Sequence, residues 1–140
     1  GVEFVEQPVP ASDPDGMAFV RERGDVPVAA DESCLRLADI PRVAEVADIA
    51  TIKLTKAGGI RETVRMIHAA RAAGLSVMLG CMLASDALMA AGAHLAPLLD
   101  YADLDGALLL AGDRYEGVPM PEGRIDLAAV DRPGTGARQV

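Results

Sequence analysis

Apolar positions along this chain fall into short, nearly continuous runs, separated by longer stretches in which apolar and polar residues alternate with a helical period. The runs are Val2–Val5, Pro27–Ala30, Ile49–Leu54, Ser76–Leu79 and Ala107–Leu110, the last with a start that can lie slightly earlier. Each is β-branched or aliphatic and lacks a polar face, as parallel strands covered on both sides do. Between them, Asp13-Pro14 predicts the start of a helix that ends near Gly24, and Pro41 starts or restarts one through about Val46. The clearest helix spans Ile60 to Ala73. Ile60, Val64, Ile67 and His68 are expected on one face, Arg61, Glu62 and Arg71 face out, and Gly74 is the stop. Ser85 is expected to cap a last helix through about Leu98, without the Glu or Gln that completes a capping box.

Strand, helix, strand at this spacing implies right-handed βαβ units and a parallel sheet, hence an α/β fold. Five strands and four helices fall short of the eight of each, over ~250 residues, in a closed (β/α) barrel. Residues 1–112 therefore read as an open sheet or as the C-terminal half of a barrel. Five unclosed strands are expected to leave two free edges and an uncovered apolar inner face. From Gly112 the alternation is lost. Gly117, Pro119, Pro121, Gly123, Pro133, Gly134 and Gly136 predict an irregular tail over 113–140, with one short strand around Arg124–Leu127.

Composition narrows the function classes. The 140 residues are 51% hydrophobic with no Trp, so the core is aliphatic and long enough to bury one domain. A net charge of −8 without a Lys or Arg cluster argues against binding to nucleic acid or to anionic membrane surfaces. Cys34 and Cys81 are too few for a disulfide framework and suit a reducing cytoplasm as small apolar residues. No uncharged apolar stretch reaches the ~18 residues of a membrane span. The chain opens on Gly1-Val2-Glu3, without Met or a basic leader and already strand-like, so residues upstream are expected to be missing.

In a barrel, chemistry gathers where strands end. Those positions hold Glu6, then Asp31-Glu32, Lys53 with Lys56, Cys81-Met82, and Asp103 with Asp105, at intervals of 22 to 28 residues. One carboxylate after a strand is usually a cap or a solvated loop group. Recurrence at one end of successive units is what points to a site. Glu6 and Asp31 would come from adjacent strands, and converging carboxylates without His or Cys suit a hard cation such as Mg²⁺. Lys53 reads either as an ion-pair partner of Asp31 or as a general base whose pKa falls from ~10.4 through burial and a nearby cation. His68 and His94 lie on or after helices and read as packing or surface residues, and Met78 and Met82 as core or pocket lining.

Together the motifs resemble a known family. V-E-Q-P at Val5–Pro8, A-D-E-S at Ala30–Ser33, I-K-L-x-K-A-G-G at Ile52–Gly59, G-C-M-L at Gly80–Leu83 and D-x-D-G at Asp103–Gly106 look like the muconate lactonizing subgroup of the enolase superfamily. The DLDG motif points within it to the dipeptide epimerases. The resemblance runs from Gly1 to about Leu110 and implies the C-terminal portion of a TIM-type (β/α) barrel. It implies that Glu6 and Asp31 are two of three Mg²⁺ ligands and that Lys53 is the acid/base on one face of the substrate α-carbon. Asp103 and Asp105 would hold the α-ammonium of a dipeptide, with Met82 lining the pocket. Glu32 and Lys56 take supporting places.

The reaction so implied is a 1,1-proton transfer. A base removes the proton beside a carboxylate, a divalent cation stabilises the enediolate, and an acid on the other face inverts the centre. A cytoplasmic, homo-oligomeric full-length enzyme is the further expectation. Two departures stand out. Ala84 occupies a position where the family usually has Glu, and the third metal carboxylate, the K-x-K lysines and the capping domain lie upstream of Glu6. The chain by itself is expected to be inactive. Sister reactions of the subgroup (muconate cycloisomerisation, o-succinylbenzoate synthesis, N-acylamino-acid racemisation) use substrates without a free α-ammonium, so Asp103 and Asp105 discriminate against them. A noncatalytic half-barrel and a Schiff-base aldolase built on Lys53 are the alternatives from other classes.

Overall fold

Right-handed crossovers place every helix on one side of a sheet only when parallel strands follow one another in chain order. The computed structural model, which describes residues 1–140, has that order. β1 (Val5–Glu6), β2 (Val28–Ala30), β3 (Ile49–Lys53), β4 (Ser76–Gly80) and β5 (Tyr101–Ala102) form one parallel sheet, each strand beside the next. The crossovers are α1 (Pro14–Arg23), α2 (Ile40–Val46), the single turn α3 (Leu54–Ala57) with α4 (Ile60–Ala72), and α5 (Asp86–Ala93). No helix is long and apolar enough to cross a membrane.

The period-two alternation of the strands divides the apolar residues between two faces. Val28, Ala30, Ala50, Ile52, Val77 and Leu79 join the main core with Met17, Val43, Met66, Ile67, Ala70 and Met89 from the helices. Each fully buried Val, Leu, Ile or Met side chain among them contributes roughly 1.5–3 kcal/mol. Ala29, Ile49 and Met78 form a second cluster on the opposite face, packed against Phe4 and Tyr101. Phe4 comes from just before β1 and Tyr101 from β5, yet their rings meet edge to face with centroids 5.1 Å apart. The sheet is therefore curled enough for its first and last strands to touch across its hollow side. The inner face is accordingly covered, contrary to expectation: Ile49 is 2% exposed and Met78 6%.

The helix starts and stops follow local chemistry. Asp13 Oδ1 accepts from the Gly16 amide at 2.9 Å and Pro14 opens α1. Gly74, at φ 82°, ends the turn after α4. Gly58 and Gly59, at φ 90° and 112°, turn the chain from α3 into α4 through conformations that glycine adopts without steric cost.

Several expectations are corrected. The fifth strand is Tyr101–Ala102, and Ala107–Leu110 is not a strand; Gly106–Leu109 is a 3₁₀ turn. The Val77 and Leu79 carbonyls of β4 are already taken by the Asp100 and Asp103 amides, both at 2.9 Å, so the later apolar run finds no free ladder there. In α4 the buried stripe is Thr63, Met66, Ile67 and Ala70, whereas Ile60 and His68 are exposed. The last helix stops at Ala93 and is followed by a separate 3₁₀ turn at Ala96–Leu98. Ser85 contributes no side-chain cap; the Asp86 amide instead donates to Asp113 Oδ2 of the tail at 2.5 Å. The tail forms an antiparallel pair, β6 (Tyr115–Glu116) with β7 (Arg138–Gln139), and no strand at Arg124–Leu127. There Asp126 Oδ1 accepts from the Ala128 and Ala129 amides, which folds that segment into a turn.

Candidate active site

Inner-face positions alternate along each strand, so Phe4 puts Glu6 on the hollow side, Ala29 puts Asp31 there, Ile49 puts Lys53 there, and Tyr101 puts Asp103 there. All four lie at the C-terminal ends of β1, β2, β3 and β5, Asp103 because the fifth strand is Tyr101–Ala102 rather than the later run. Glu6 and Asp31 line one open pocket of about 510 Å³ together with Gln7, Pro8 and Glu32.

Asp31 is the electrostatic centre. Lys53 Nζ donates to its Oδ2 at 2.7 Å and Lys56 Nζ to its Oδ1 at 2.5 Å. Lys56 also donates to the Asp31 carbonyl at 2.7 Å and the Thr51 carbonyl at 3.2 Å, which anchors it from α3. Burial pushes the Asp31 carboxyl upward, but the hydrogen bonds and charges of the two lysines outweigh it and hold it below its usual value. Burial likewise pulls the Lys53 ammonium down. The Asp31 hydrogen bond and charge, with Glu6 and Glu32, exceed that and leave Lys53 raised. Of the two readings of Lys53, this geometry is the ion pair with Asp31. Gly80, the register partner of Lys53, leaves room for the lysine: a Cβ there would lie 3.1 Å from Lys53 Cε and from Thr51 Cγ2.

Gln7 is a residue to which the motif reading gave no role. Its backbone has φ 39°, a region that costs a non-glycine residue on the order of 1–3 kcal/mol. Its side chain spends its full hydrogen-bonding capacity on the loops. Oε1 accepts from the Asp31 amide at 3.0 Å and the Ser33 amide at 3.1 Å, while Nε2 donates to the Val9 carbonyl at 2.9 Å and to Ser33 Oγ at 3.0 Å. The one sequence signal was its place between a strand-end acid and a proline.

Across the hollow, Asp103 and Asp105 come together with Cys81, their ligand atoms all within 4.8 Å of one another. Cys81 Sγ donates to Asp105 Oδ1 at 3.8 Å. Burial and then the neighbouring Asp105 charge push the Asp103 carboxyl upward, with Lys53 pulling it back. Two repelling carboxylates form a place where an organic cation relieves strain. Gly106 completes the turn because a Cβ there would lie 2.3 Å from the Met82 carbonyl oxygen. The Met82 side chain is 49% exposed on the loop after β4 and lines none of the pockets.

Known proteins resemble this chain in sequence and in fold. The family model described as "Enolase C-terminal domain-like" matches residues 1–138. An L-Ala-D/L-Glu epimerase of Bacteroides thetaiotaomicron is 39% identical over 140 residues, which is all of this chain and 36% of that protein. A mandelate racemase/muconate lactonizing protein from Herpetosiphon aurantiacus superposes with a TM-score of 0.89 at 37% identity, over 99% of this chain and 40% of that one. A dipeptide epimerase from Enterococcus faecalis, solved with Mg and the dipeptide L-Leu-L-Tyr, gives a TM-score of 0.78 at 34% identity over 83% of this chain and 34% of that one. The chain thus spans 34–40% of the length of these relatives.

Proposed function

From its membership of the enolase C-terminal domain-like family, to which this chain belongs, we propose that it supplies the barrel portion of an enzyme that epimerises a dipeptide by 1,1-proton transfer. The observation that carries this reading is the division of the hollow side into an anionic pair with a lysine, Glu6 and Asp31 with Lys53, and a second carboxylate pair, Asp103 and Asp105, facing it. A substrate with a carboxylate at one end and an ammonium at the other matches that division.

Glu6 and Asp31 are hard oxygen donors on adjacent strands beside an open pocket, a donor set that fits Mg²⁺. They would hold the ion, and bound there it supplies electrostatic stabilisation of negative charge on the substrate carboxylate. For Asp31 to take that role, an oxygen held by Lys53 or Lys56 must be shared or released. Lys56 makes three hydrogen bonds and is the fixed partner; Lys53 makes one and is the mobile one. Once Lys53 has left Asp31 and given its ammonium proton to solvent, its neutral Nζ accepts the proton of the substrate α-carbon, and the electron pair left behind delocalises into the adjacent carboxylate as an enediolate. Return of a proton from the opposite face inverts the centre. Asp103 and Asp105 orient the substrate by hydrogen bonds to its ammonium, which favours a dipeptide over the ammonium-free substrates of the sister reactions. Catalysis belongs to the longer protein, with this chain alone inactive.

The test uses that full-length protein. Lys53→Ala should abolish epimerisation while retaining exchange of the α-proton of one enantiomer with solvent deuterium, catalysed from the other face. Equal residual exchange for both enantiomers would refute a two-base site. Glu6→Gln and Asp31→Asn should each weaken Mg²⁺ binding, measured calorimetrically, and unchanged affinity in both would remove the metal assignment.

A further inference from the structure

We propose that Gln7 is the positioning residue that sets the spacing between Glu6 and Asp31, and so tunes the affinity of that carboxylate pair for a divalent cation. The inference rests on the reading of Glu6 and Asp31 as the metal pair.

Glu6 and Asp31 stand on neighbouring strands, but backbone pairing fixes them only indirectly. The ladder between β1 and β2 joins Val5 to Val28 and Glu6 to Ala29, and ends with the Gln7 amide on the Ala29 carbonyl at 2.8 Å. Asp31 therefore lies two residues beyond the last rung with β1, where that ladder no longer holds it. Gln7 takes over at that point. Its backbone continues directly from Glu6, and its Oε1 grips the amides of Asp31 and Ser33 on the other strand's loop. Both donors of Nε2 are also used, one on Val9 in its own loop and one on Ser33 Oγ in the other. One planar amide group thereby ties the residues that follow both carboxylates. The backbone at Gln7 is held at φ 39°, in the left-handed region, while the side chain makes these bonds.

Gln7 itself is not a ligand: each of its polar atoms is already engaged by protein. Its effect acts through Asp31. Partners that orient metal ligands typically change metal affinity by about 10–100-fold when removed. A residue that merely supported the fold would change the melting temperature and leave the affinity of the folded protein alone.

The experiment measures Mg²⁺ affinity by calorimetry, and the melting temperature without Mg²⁺, in the full-length protein and three variants. Gln7→Met keeps the length and loses all four hydrogen bonds; it should weaken Mg²⁺ at least tenfold when measured well below its melting temperature. Gln7→Glu keeps the acceptor for the Asp31 and Ser33 amides and should retain at least a third of the wild-type affinity. Ser33→Ala removes the Oγ partner without touching the Asp31 amide and should change affinity by less than threefold, whatever it does to the melting temperature. Folded Gln7→Met with affinity within twofold of wild type would overturn the proposal. So would a tenfold loss in Gln7→Glu, which decides the matter if Gln7→Met does not fold. Failure of Glu6→Gln to weaken Mg²⁺ would strike the metal reading itself. Loss in Glu6→Gln together with none in Gln7→Met would strike only the positioning role.

Discussion

Replacing Lys56 by Met tests how the site is held together before any chemistry. The lysine side chain is 8% exposed and its partner Asp31 12%, so the pair sits largely out of water. Met retains most of the apolar stem and removes the ammonium. Three acceptors are then affected: Asp31 Oδ1, the Asp31 carbonyl and the Thr51 carbonyl. Removing one partner of a buried ion pair costs about 3–5 kcal/mol. Here Asp31 keeps Lys53 on its other oxygen, and its carbonyl keeps the Cys34 amide at 2.9 Å, which places the loss toward the lower end. The expected destabilisation is about 3 kcal/mol, read as a shift of the denaturant midpoint at neutral pH with unchanged slope. Asp31→Asn in the same background should recover part of it, because an amide needs no counter-ion, giving a coupling of about 1–3 kcal/mol in the double-mutant cycle. A Lys56→Met loss below about 1 kcal/mol, or strict additivity of the two changes, would show that the pair is solvated and that Lys53 alone holds Asp31.

Gly80→Ala should act on Lys53 rather than on the fold. The new Cβ meets Lys53 Cε and Thr51 Cγ2 at 3.1 Å; the flexible lysine gives way by a few tenths of an ångström more readily than buried Thr51, and turnover of the full-length protein should fall on the order of tenfold. An unchanged kcat would mean that Lys53 is not held by that contact. Cys34 is fully buried, and burial pushes its thiol up to about 11. It should stay unreactive toward a thiol reagent at pH 8 in the native protein while Cys81 reacts. Since the folded state favours the protonated thiol, the stability present below the ordinary value near 9.0 should be lost as pH rises toward about 11. Rapid modification of both thiols under native conditions would contradict that burial.

The positions of the site residues were legible because strand periodicity and strand ends are local properties. Glu6, Asp31 and Lys53 each follow or end a run that becomes a strand, whereas Asp103 follows Tyr101–Ala102, a strand that the apolar runs do not mark. Legibility failed where non-local bonding decides. The run Ala107–Leu110 is more apolar than Tyr101–Ala102, yet β4 offers its carbonyls to the earlier segment. Ser85 has the composition of a cap, but Asp113, 27 positions away from the amide it holds, takes the place. The phase of α4 is not legible because its buried stripe includes polar Thr63 and its exposed side includes apolar Ile60. Gln7 was missed for the same reason as Asp113: its bonds run to Asp31 and Ser33, 24 and 26 positions away, and no spacing rule anticipates a side chain that reads another strand's loop.

The contact between Phe4 and Tyr101 has a consequence for substrate size. Each ring stands two residues before a carboxylate of the site, Phe4 before Glu6 and Tyr101 before Asp103, so each lies about 6.6 Å below its acid along the strand. With the rings in touch, the floor of the hollow has a fixed width, and strand twist carries that width upward to the two acids. The aromatic pair works as a gauge block between the end of the site proposed for the substrate carboxylate and the end proposed for its ammonium. Trimming either ring would let the strands settle closer and shorten the molecule that fits between them.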